Sequence, residues 1–232
     1  NAMKVPPISV QLWSVKEQVK ADFTGTLTQL ANMGFEGVEF ANEFGEFGND
    51  AKAIKQQLDN LGLEGSGAHV SFEQLNDENF DETVAFYQAL GVDTLIVGWD
   101  ERAWHPEGIK EIVALLNENA KKLAPLGMKT GFHNHDHEFD AFDTDTYWDY
   151  LAQNTTENVV LQQDVGWTTY AGKDPIDYVK RYPGRTLTTH YKVKLPEGVE
   201  GKLPLIGQDT IDWVALTETN IAVGGTLWIV VE

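Results

Sequence analysis

Three of the six histidines in this chain lie within a stretch of five residues. They are His133, His135 and His137, in the segment Met-Lys-Thr-Gly-Phe-His-Asn-His-Asp-His-Glu-Phe at 128–139, where Glu138 follows the third histidine. Imidazole and carboxylate groups are the side chains that bind borderline divalent metals and transfer protons near neutral pH. The stretch therefore predicts a metal site or an acid/base site, with a solvated histidine-rich turn as the alternative.

The composition excludes several kinds of site and partner. Cysteine is absent, so disulfides and thiolate metal sites are excluded, and a metal must be bound through nitrogen and oxygen. The chain carries 36 acidic and 17 basic residues, a formal net charge of -19, and has no basic run that could displace counterions from DNA. No apolar run approaches the roughly 18 residues of a membrane span. We expect neither nucleic acid nor a membrane as a partner.

The start of the chain gives an expectation about processing and location. Asn1 and Ala2 precede Met3 and resemble an expression remnant, so one domain is expected to occupy residues 3–232. No charged-then-apolar leader follows, and this predicts a cytoplasmic protein.

A strand-like apolar run, a helix-like segment and a glycine recur along the whole chain. Eight such units without a break in composition predict a single (β/α)8 TIM barrel, and the lack of a G-x-G-x-x-G turn disfavours an open doubly wound sheet. The last unit has no helix because the sequence stops at Glu232, so the sequence is expected to be part of a longer chain. The predicted strands cover residues 8–13, 37–40, 63–70, 93–99, 128–135, 159–167, 187–194 and 226–232. The first predicted helix begins after Asp22 and is stopped by Gly34. The next four cover 51–61, 81–90, 107–126 and 144–152, and two more start at 174 and 210.

The active site of a (β/α)8 barrel lies at the carboxyl ends of its strands. These positions are unusually polar here, and ionisable groups that end apolar strands are costly to desolvate unless they bind a metal, a substrate or one another. Asp164 and Glu232 end very apolar strands, so an unpaired carboxylate there is the hardest to explain. The strand-end candidates are Gln11, Trp13, Glu39, His69, Trp99, His133, His135, Glu138, Asp164, Trp167, His190, Lys192 and Glu232.

Taken together, the motifs resemble the xylose isomerase-like TIM-barrel superfamily, most closely its sugar phosphate isomerase/epimerase branch. The resemblance covers essentially the whole chain. The segments that carry it are Gln11-Leu12-Trp13-Ser14-Val15, Gly37-Val38-Glu39-Phe40, Gly67-Ala68-His69, His133-Asn134-His135-x-x-Glu138-Phe139, Asp164-Val165-Gly166-Trp167, Gly172-x-Asp174-Pro175, His190-Tyr191-Lys192 and the closing Val-Val-Glu.

The resemblance implies one divalent metal ion, commonly Mn, Mg, Co or Zn, at the mouth of the barrel. Its implied ligands are Asp164 from strand six, His190 from strand seven, Glu232 from strand eight, and a glutamate from strand five. Many relatives carry that glutamate within the strand, whereas this sequence has His133 or His135 there and Glu138 just beyond. Glu138 is the predicted ligand because it preserves the charge of the set, and His133 is the alternate.

The expected function is a metal-dependent isomerase or epimerase that abstracts a proton beside a metal-bound carbonyl of a sugar or keto-sugar. In this hypothesis His135, or His133 if it is not a ligand, is the acid/base group, and Lys192 pairs with developing oxyanion charge. In the same hypothesis, Glu39 and His69 orient the hydroxyl groups of the substrate. The tryptophans Trp13, Trp99 and Trp167 are candidate stacking surfaces for a sugar ring. An unphosphorylated carbohydrate is expected, since the sequence has no glycine-rich phosphate turn and is strongly acidic.

Three alternatives remain open from the sequence. A metal-dependent lyase or dehydratase that acts on a keto-sugar, keto-glycoside or cyclitol would use the same residues. An endonuclease IV-like DNA repair enzyme would share the barrel, but the acidic charge disfavours it. A non-catalytic sugar-binding barrel is disfavoured by the full set of Asp164, His190 and Glu232. The oligomeric state stays open, a homo-oligomer included.

Overall fold

A computed structural model describes residues 4–192 and 211–232 and shows eight parallel strands in one sheet. The strands are β1 (Ile8–Gln11), β2 (Gly37–Phe40), β3 (Glu64–Val70), β4 (Thr94–Val97), β5 (Lys129–His133), β6 (Val160–Gln162), β7 (Thr188–Tyr191) and β8 (Trp228–Val231). Their order is β6-β5-β4-β3-β2-β1-β8-β7, and a bridge between Asp164 and His190 joins the two outer strands into a nearly closed barrel. The predicted TIM barrel in a single domain is confirmed.

Helices alternate with the strands and cover the outside of the barrel. Their apolar faces pack on the sheet, so that side chains such as Ile54 and Leu58 are fully buried. Asp22 accepts the Gly25 N–H at the start of a helix, as the sequence predicts. The helices are α1 (Lys16–Ala21), α2 (Phe23–Asn32), α3 (Ala51–Leu61), α4 (Phe80–Leu90), α5 (Gly108–Leu123), α6 (Tyr147–Asn154), α7 (Val165–Tyr170), α8 (Pro175–Arg181) and α9 (Trp213–Thr219). No helix in the described parts of the chain is both long and apolar enough to cross a bilayer.

Strands β1 and β5 end earlier than the apolar runs predict, because in each case a nearby side chain accepts a hydrogen bond from a backbone N–H just beyond the strand. The Gln11 side chain accepts the Trp13 N–H, and a 3-10 turn replaces the last two residues of the predicted first strand. Beyond β5, Glu138 Oε1 accepts the His135 N–H at 3.0 Å. Side chains that compete for backbone donors in this way end the ladder of strand hydrogen bonds.

The predicted strand 159–167 is wrong in its second half. Strand β6 stops at Gln162, and Asp164 becomes the N-cap of helix α7 by accepting the Trp167 N–H at 2.9 Å. The apolar run continues into a short helix because the aspartate satisfies one of the helix's free N–H groups.

Three other predicted elements also differ in their boundaries. Residues 141–142 and 145–146 form a small antiparallel hairpin, so the helix predicted from 144 begins at Tyr147 with Thr146 as its cap. The predicted strand 187–194 is shortened to β7, and its residues 193 and 194 lie outside the described chain. Residue 210 also lies outside it, and α9 begins at Trp213, capped by Asp212.

Strands β5 and β6 approach each other closely at Gly131. A Cβ at this position would overlap the carbonyl group of Val160 on β6. We therefore expect Gly131→Ala to force the two strands apart and to lower the free energy of unfolding by about 3 kcal/mol, at the upper end of overpacking costs. Urea unfolding measures this value, and a loss below about 0.5 kcal/mol, the level of an ordinary surface substitution, would show that the contact is not tight.

Candidate metal centre and catalytic cavity

The carboxyl ends of β5 to β8 bring together His133, Asp164, His190 and Glu232. One nitrogen or oxygen atom from each residue lies within 4.8 Å of the other three. Asp164 Oδ2 is 3.0 Å from His133 Nε2, and His190 Nδ1 is 2.9 Å from Glu232 Oε2. The first three residues are buried, and Glu232 is partly exposed. Four such atoms could hold one divalent ion, and we call these residues the donor group.

Strand alternation explains how the sequence points these side chains to one place. Residues two apart on a strand share a face, so Asp164 continues the inward face of Gln162, and His190 that of Thr188. The closing bridge then sets Asp164 beside His190 at the seam between β6 and β7. The seam of the barrel is therefore also the centre of the donor group.

The charges of the donor group fit a divalent cation. Burial and the neighbouring Glu232 carboxylate raise the pKa of Asp164 to about 6. Burial also disfavours the charged form of His190, yet Glu39 and Glu232 outweigh it and raise its pKa to about 10. One buried carboxylate, Asp164, and one partly exposed carboxylate, Glu232, thus lie where positive charge is favoured. Two imidazoles and two carboxylates suit Mn, Co or Zn better than Mg, which prefers oxygen ligands.

Glu138, the strand-five ligand predicted from the sequence, lies outside the donor group. It belongs to a 3-10 turn, His137–Phe139, where Oε1 accepts the His135 N–H and the buried Oε2 has no hydrogen-bond partner. Burial raises the pKa of Glu138 to about 8, and a protonated carboxyl is a poor metal ligand. The alternate ligand, His133, provides the strand-five atom of the donor group instead. Burial, with His190 and His69, lowers the pKa of His133 well below its usual value, so the ring is neutral.

His135 is the more accessible of the two neighbouring histidines. Its side chain is 25% exposed, against 4% for His133, and the two rings are 5.0 Å apart. Burial and then His133 lower the pKa of His135 to about 3, so the imidazole is neutral at pH 7. Its Nδ1 has no hydrogen-bond partner and lies 3.9 Å from Glu138 Oε2. His135 therefore combines access to the cavity with an uncharged ring, and its lowered pKa makes that ring a weaker base than a free imidazole.

A cavity of about 400 Å³ opens over the donor group, a volume typical of small-ligand sites. Trp13 and Trp99 are 57% and 58% exposed at its edge, where their rings could stack on the C–H face of a sugar. Trp167 is not part of the lining, and its ring packs 5.5 Å from the His135 ring. Predicted site residues in the lining are Gln11, Trp13, His69, Trp99, His133, His135 and Glu232. A second cavity, of about 460 Å³, lies near α3 and α4 and is lined by none of the predicted site residues.

Two basic residues near β7, Lys192 and Arg185, are held by other groups of the protein. Lys192 Nζ is 3.2 Å from Glu232 Oε1 and 5.6 Å from the centre of the Trp167 ring. Arg185 is buried and donates to the Val159 and Ala152 carbonyls. Among the described residues, the cavity lining contains no lysine or arginine.

Two amide side chains were missed by the sequence reasoning. Gln162 donates to Glu39 Oε2 at 2.8 Å and lies 2.7 Å from His69 Nε2 through its oxygen. Asn134 Oδ1 accepts the Asp164 N–H at 2.9 Å, which ties the end of β5 to the residue after β6. Gln162 had a usable signal, because it stands two residues before Asp164 and so shares its face. Asn134 had no such signal, because it directly follows His133 and therefore points to the opposite face.

Comparison with known proteins defines the family of this barrel. Residues 27–232 match the sequence profile of the xylose isomerase-like TIM barrel family, and the chain belongs to that family. An inosose dehydratase from Clostridium botulinum (strain Alaska E43 / Type E3) is 26% identical over 198 residues, which are 75% of this chain and 64% of that protein. The chain thus spans slightly less than two thirds of the length of this curated relative.

Solved structures agree on the architecture. A sugar phosphate isomerase/epimerase from Parabacteroides distasonis ATCC 8503 superposes with a TM-score of 0.79 and 21% identity, over 100% of this chain and 87% of that one. An L-ribulose 3-epimerase gives a TM-score of 0.71 with 15% identity, over 98% of this chain and 81% of that one. At these identities the structural matches establish the fold alone.

Proposed function

We propose that the protein is a divalent-metal-dependent enzyme that removes a proton from the carbon beside a carbonyl of an unphosphorylated sugar, keto-sugar or cyclitol. Isomerisation or epimerisation is the proposed outcome. The observation that carries the proposal is the set of four donor atoms within 4.8 Å of one another, next to a cavity that also contains the neutral His135. An ion held by the donor group would supply Lewis acidity to the carbonyl oxygen.

The chain's own residues divide the remaining work. His135 is the proposed acceptor of the proton from the carbon, because its imidazole lines the cavity and is partly exposed there. Lys192 lies outside the cavity lining and is 3.2 Å from Glu232 Oε1, so it acts on the substrate only indirectly, by holding the Glu232 carboxylate in place. Trp13 and Trp99 form apolar walls for the sugar ring. His69 lines the same cavity and offers a polar group to the substrate hydroxyls, while its Nε2 contacts the Gln162 side chain.

The electrostatics support a substrate without phosphate. A phosphate group needs a cluster of cationic side chains or a glycine-rich turn of free N–H groups. The cavity presents neither among the described residues, since Arg185 donates to backbone carbonyls and Lys192 is paired with Glu232. Neutral carbohydrates are therefore the preferred substrate class.

Dehydration is the second candidate, and the similarity to an inosose dehydratase favours it. It shares the first step, because removal of the same proton also prepares the loss of a hydroxyl from the next carbon. The two reactions differ only in the second step, which is either return of a proton to carbon or departure of water.

Product analysis in deuterated water tests both candidates. Protein loaded with Mn²⁺ is incubated with a panel of neutral ketoses, keto-glycosides and inososes, and the products are followed by NMR. Deuterium beside the carbonyl with every hydroxyl retained identifies isomerisation or epimerisation, whereas exchange with loss of water identifies the dehydratase. Absence of exchange across the panel, in protein that binds the ion, would contradict the proposal.

Affinity for the ion should fall as the pH is lowered. The pKa of His190 is raised to about 10, so at neutral pH its ring carries a proton that must leave before Nδ1 can bind a metal. Between pH 7 and 9 we expect about tenfold weaker binding for each unit of decrease, with about one proton released per ion. Below pH 6 the slope steepens, because Asp164, with its pKa raised to about 6, also becomes protonated.

Calorimetric titration with Mn²⁺ in buffers of different ionisation enthalpy measures both the affinity and the released proton. An affinity that stays constant across this pH range would contradict a protonated His190.

A further inference from the structure

Glu39 lies directly beneath the donor group and has no access to the cavity. It is fully buried, and its oxygens face protein donors. Oε1 is 2.7 Å from His190 Nε2 and also accepts a hydrogen bond from the Gln11 side chain, while Oε2 accepts from Gln162 Nε2 at 2.8 Å. This placement differs from the expectation that Glu39 orients substrate hydroxyls.

The hydrogen bonds of Glu39 determine which nitrogen of His190 carries a proton. Both Glu39 oxygens accept from amide N–H groups, Oε1 from Gln11 and Oε2 from Gln162, so Glu39 is an acceptor on both sides. A carboxylate only accepts hydrogen bonds, so the short contact requires a proton on His190 Nε2. In the neutral ring the lone pair is then on Nδ1, the atom 2.9 Å from Glu232 Oε2 and 4.0 Å from Asp164 Oδ2.

We propose that Glu39 is a positioning residue that fixes the tautomer and the ring orientation of His190, so that Nδ1 is the atom presented to the cation. The proposal rests on the metal centre of the proposed function. A carboxylate that accepts the second N–H of a metal-binding histidine raises its basicity and holds its ring plane.

The neighbours of Glu39 hold it in a single position. The Gln11 oxygen accepts the Trp13 N–H at 3.0 Å, which turns the Gln11 amide nitrogen toward Glu39. Gln162 is fixed in the same way between His69 and the Thr188 hydroxyl. Glu39 therefore cannot rotate away from His190 without breaking several buried hydrogen bonds.

A direct metal-binding role for Glu39 is the competing arrangement. Glu39, His69 and His190 also have donor atoms within 4.8 Å of one another. That set, however, has three donors instead of four, and it would use the His190 nitrogen that already donates to Glu39. It would also leave Nδ1 of His190 facing Glu232 without a cation. The geometry favours the positioning role.

The test compares Glu39→Gln with wild type in binding of Zn²⁺ alone, and it uses ¹⁵N NMR of the histidine rings as a second measurement. Glu39→Gln keeps the shape but places a neutral amide against His190. We expect Zn²⁺ affinity to fall 10- to 100-fold, the usual cost of removing such a partner. In the Zn²⁺-loaded protein, the His190 signal should change from a single form, protonated at Nε2 and metal-bound at Nδ1, to a mixture in which either nitrogen binds the ion.

Asp149→Asn is the matched control. Asp149 is also a buried carboxylate, but it bonds to Tyr178, Tyr182 and Arg181, away from the donor group. Its loss should leave Zn²⁺ affinity within twofold of wild type, and thermal unfolding shows whether each variant is folded.

Each outcome bears on a separate claim. Wild-type protein loaded with Zn²⁺ must show His190 protonated at Nε2 and metal-bound at Nδ1, and the reverse arrangement overturns the positioning role even if the variant does not fold. Unchanged Zn²⁺ affinity and an unchanged tautomer in Glu39→Gln overturn it as well. Failure of wild type to bind Zn²⁺ overturns the metal centre, and with it the proposed function.

Discussion

Asp164→Asn is expected to abolish turnover and to weaken divalent ion binding by more than about 100-fold, beyond the usual cost of changing a residue that only supports a ligand. Asp164 has two separable roles. Oδ1 accepts the Trp167 N–H and caps α7, whereas Oδ2 belongs to the donor group. Asparagine retains an oxygen for the cap but removes the negative charge and turns an NH₂ group toward the cation. The fold should therefore persist while the ion is lost.

Asp174→Asn provides the matched control, because Asp174 also caps a helix, by accepting the Ile176 N–H at the start of α8, and lies away from the donor group. Calorimetry with Mn²⁺ and circular dichroism measure ion binding and folding in both variants. Near wild-type ion affinity in Asp164→Asn would remove Asp164 from the metal centre.

His135→Ala should give the second largest effect, a loss of about 10²- to 10⁴-fold in kcat with ion affinity within twofold of wild type. This is the usual contribution of a general acid/base group. The loop should keep its shape, since Glu138 Oε1 bonds to the backbone N–H of residue 135 and not to the imidazole. The donor group does not include His135, so the ion should stay.

His137→Ala is the control for His135→Ala, because His137 belongs to the same segment but its side chain is 57% exposed and pairs with Asp140. Activity on the substrate identified by product analysis, together with Mn²⁺ titration, separates the two effects. Equal loss of ion binding and turnover in His135→Ala would place His135 among the ligands instead of the bases.

The sequence predicted element boundaries best where a capping side chain or a glycine a few residues away sets the boundary. Strand β2 and helix α3 match their predicted bounds residue for residue, and Gly62 ends α3 in the left-handed conformation. Such boundaries depend on caps and backbone conformations a few residues away, which the sequence shows directly. The second half of the strand predicted at 159–167 failed because Asp164 formed a cap that the apolar run concealed.

The strand-five position of the donor group needed the structure. From charge alone Glu138 is the better ligand than His133, since it keeps three carboxylates in the set. The 3-10 turn His137–Phe139 instead buries Glu138 against the His135 backbone, while His133, the last residue of β5, points inward. Which of two nearby side chains reaches a shared ion depends on how the chain turns after the strand, and spacing in the sequence does not fix that turn.

The sequence by itself determined the barrel and the strand ends that carry polar groups, because alternation of apolar residues and glycine-ended helices are local patterns, and its motifs resemble the family that the comparison then showed. Only the tertiary structure decided which of those groups share a centre and which support it. Glu39 and His190 are 151 residues apart in the chain, and their 2.7 Å contact exists because barrel closure brings β2 and β7 around the same interior. Contacts of that kind depend on the summed geometry of all eight strands.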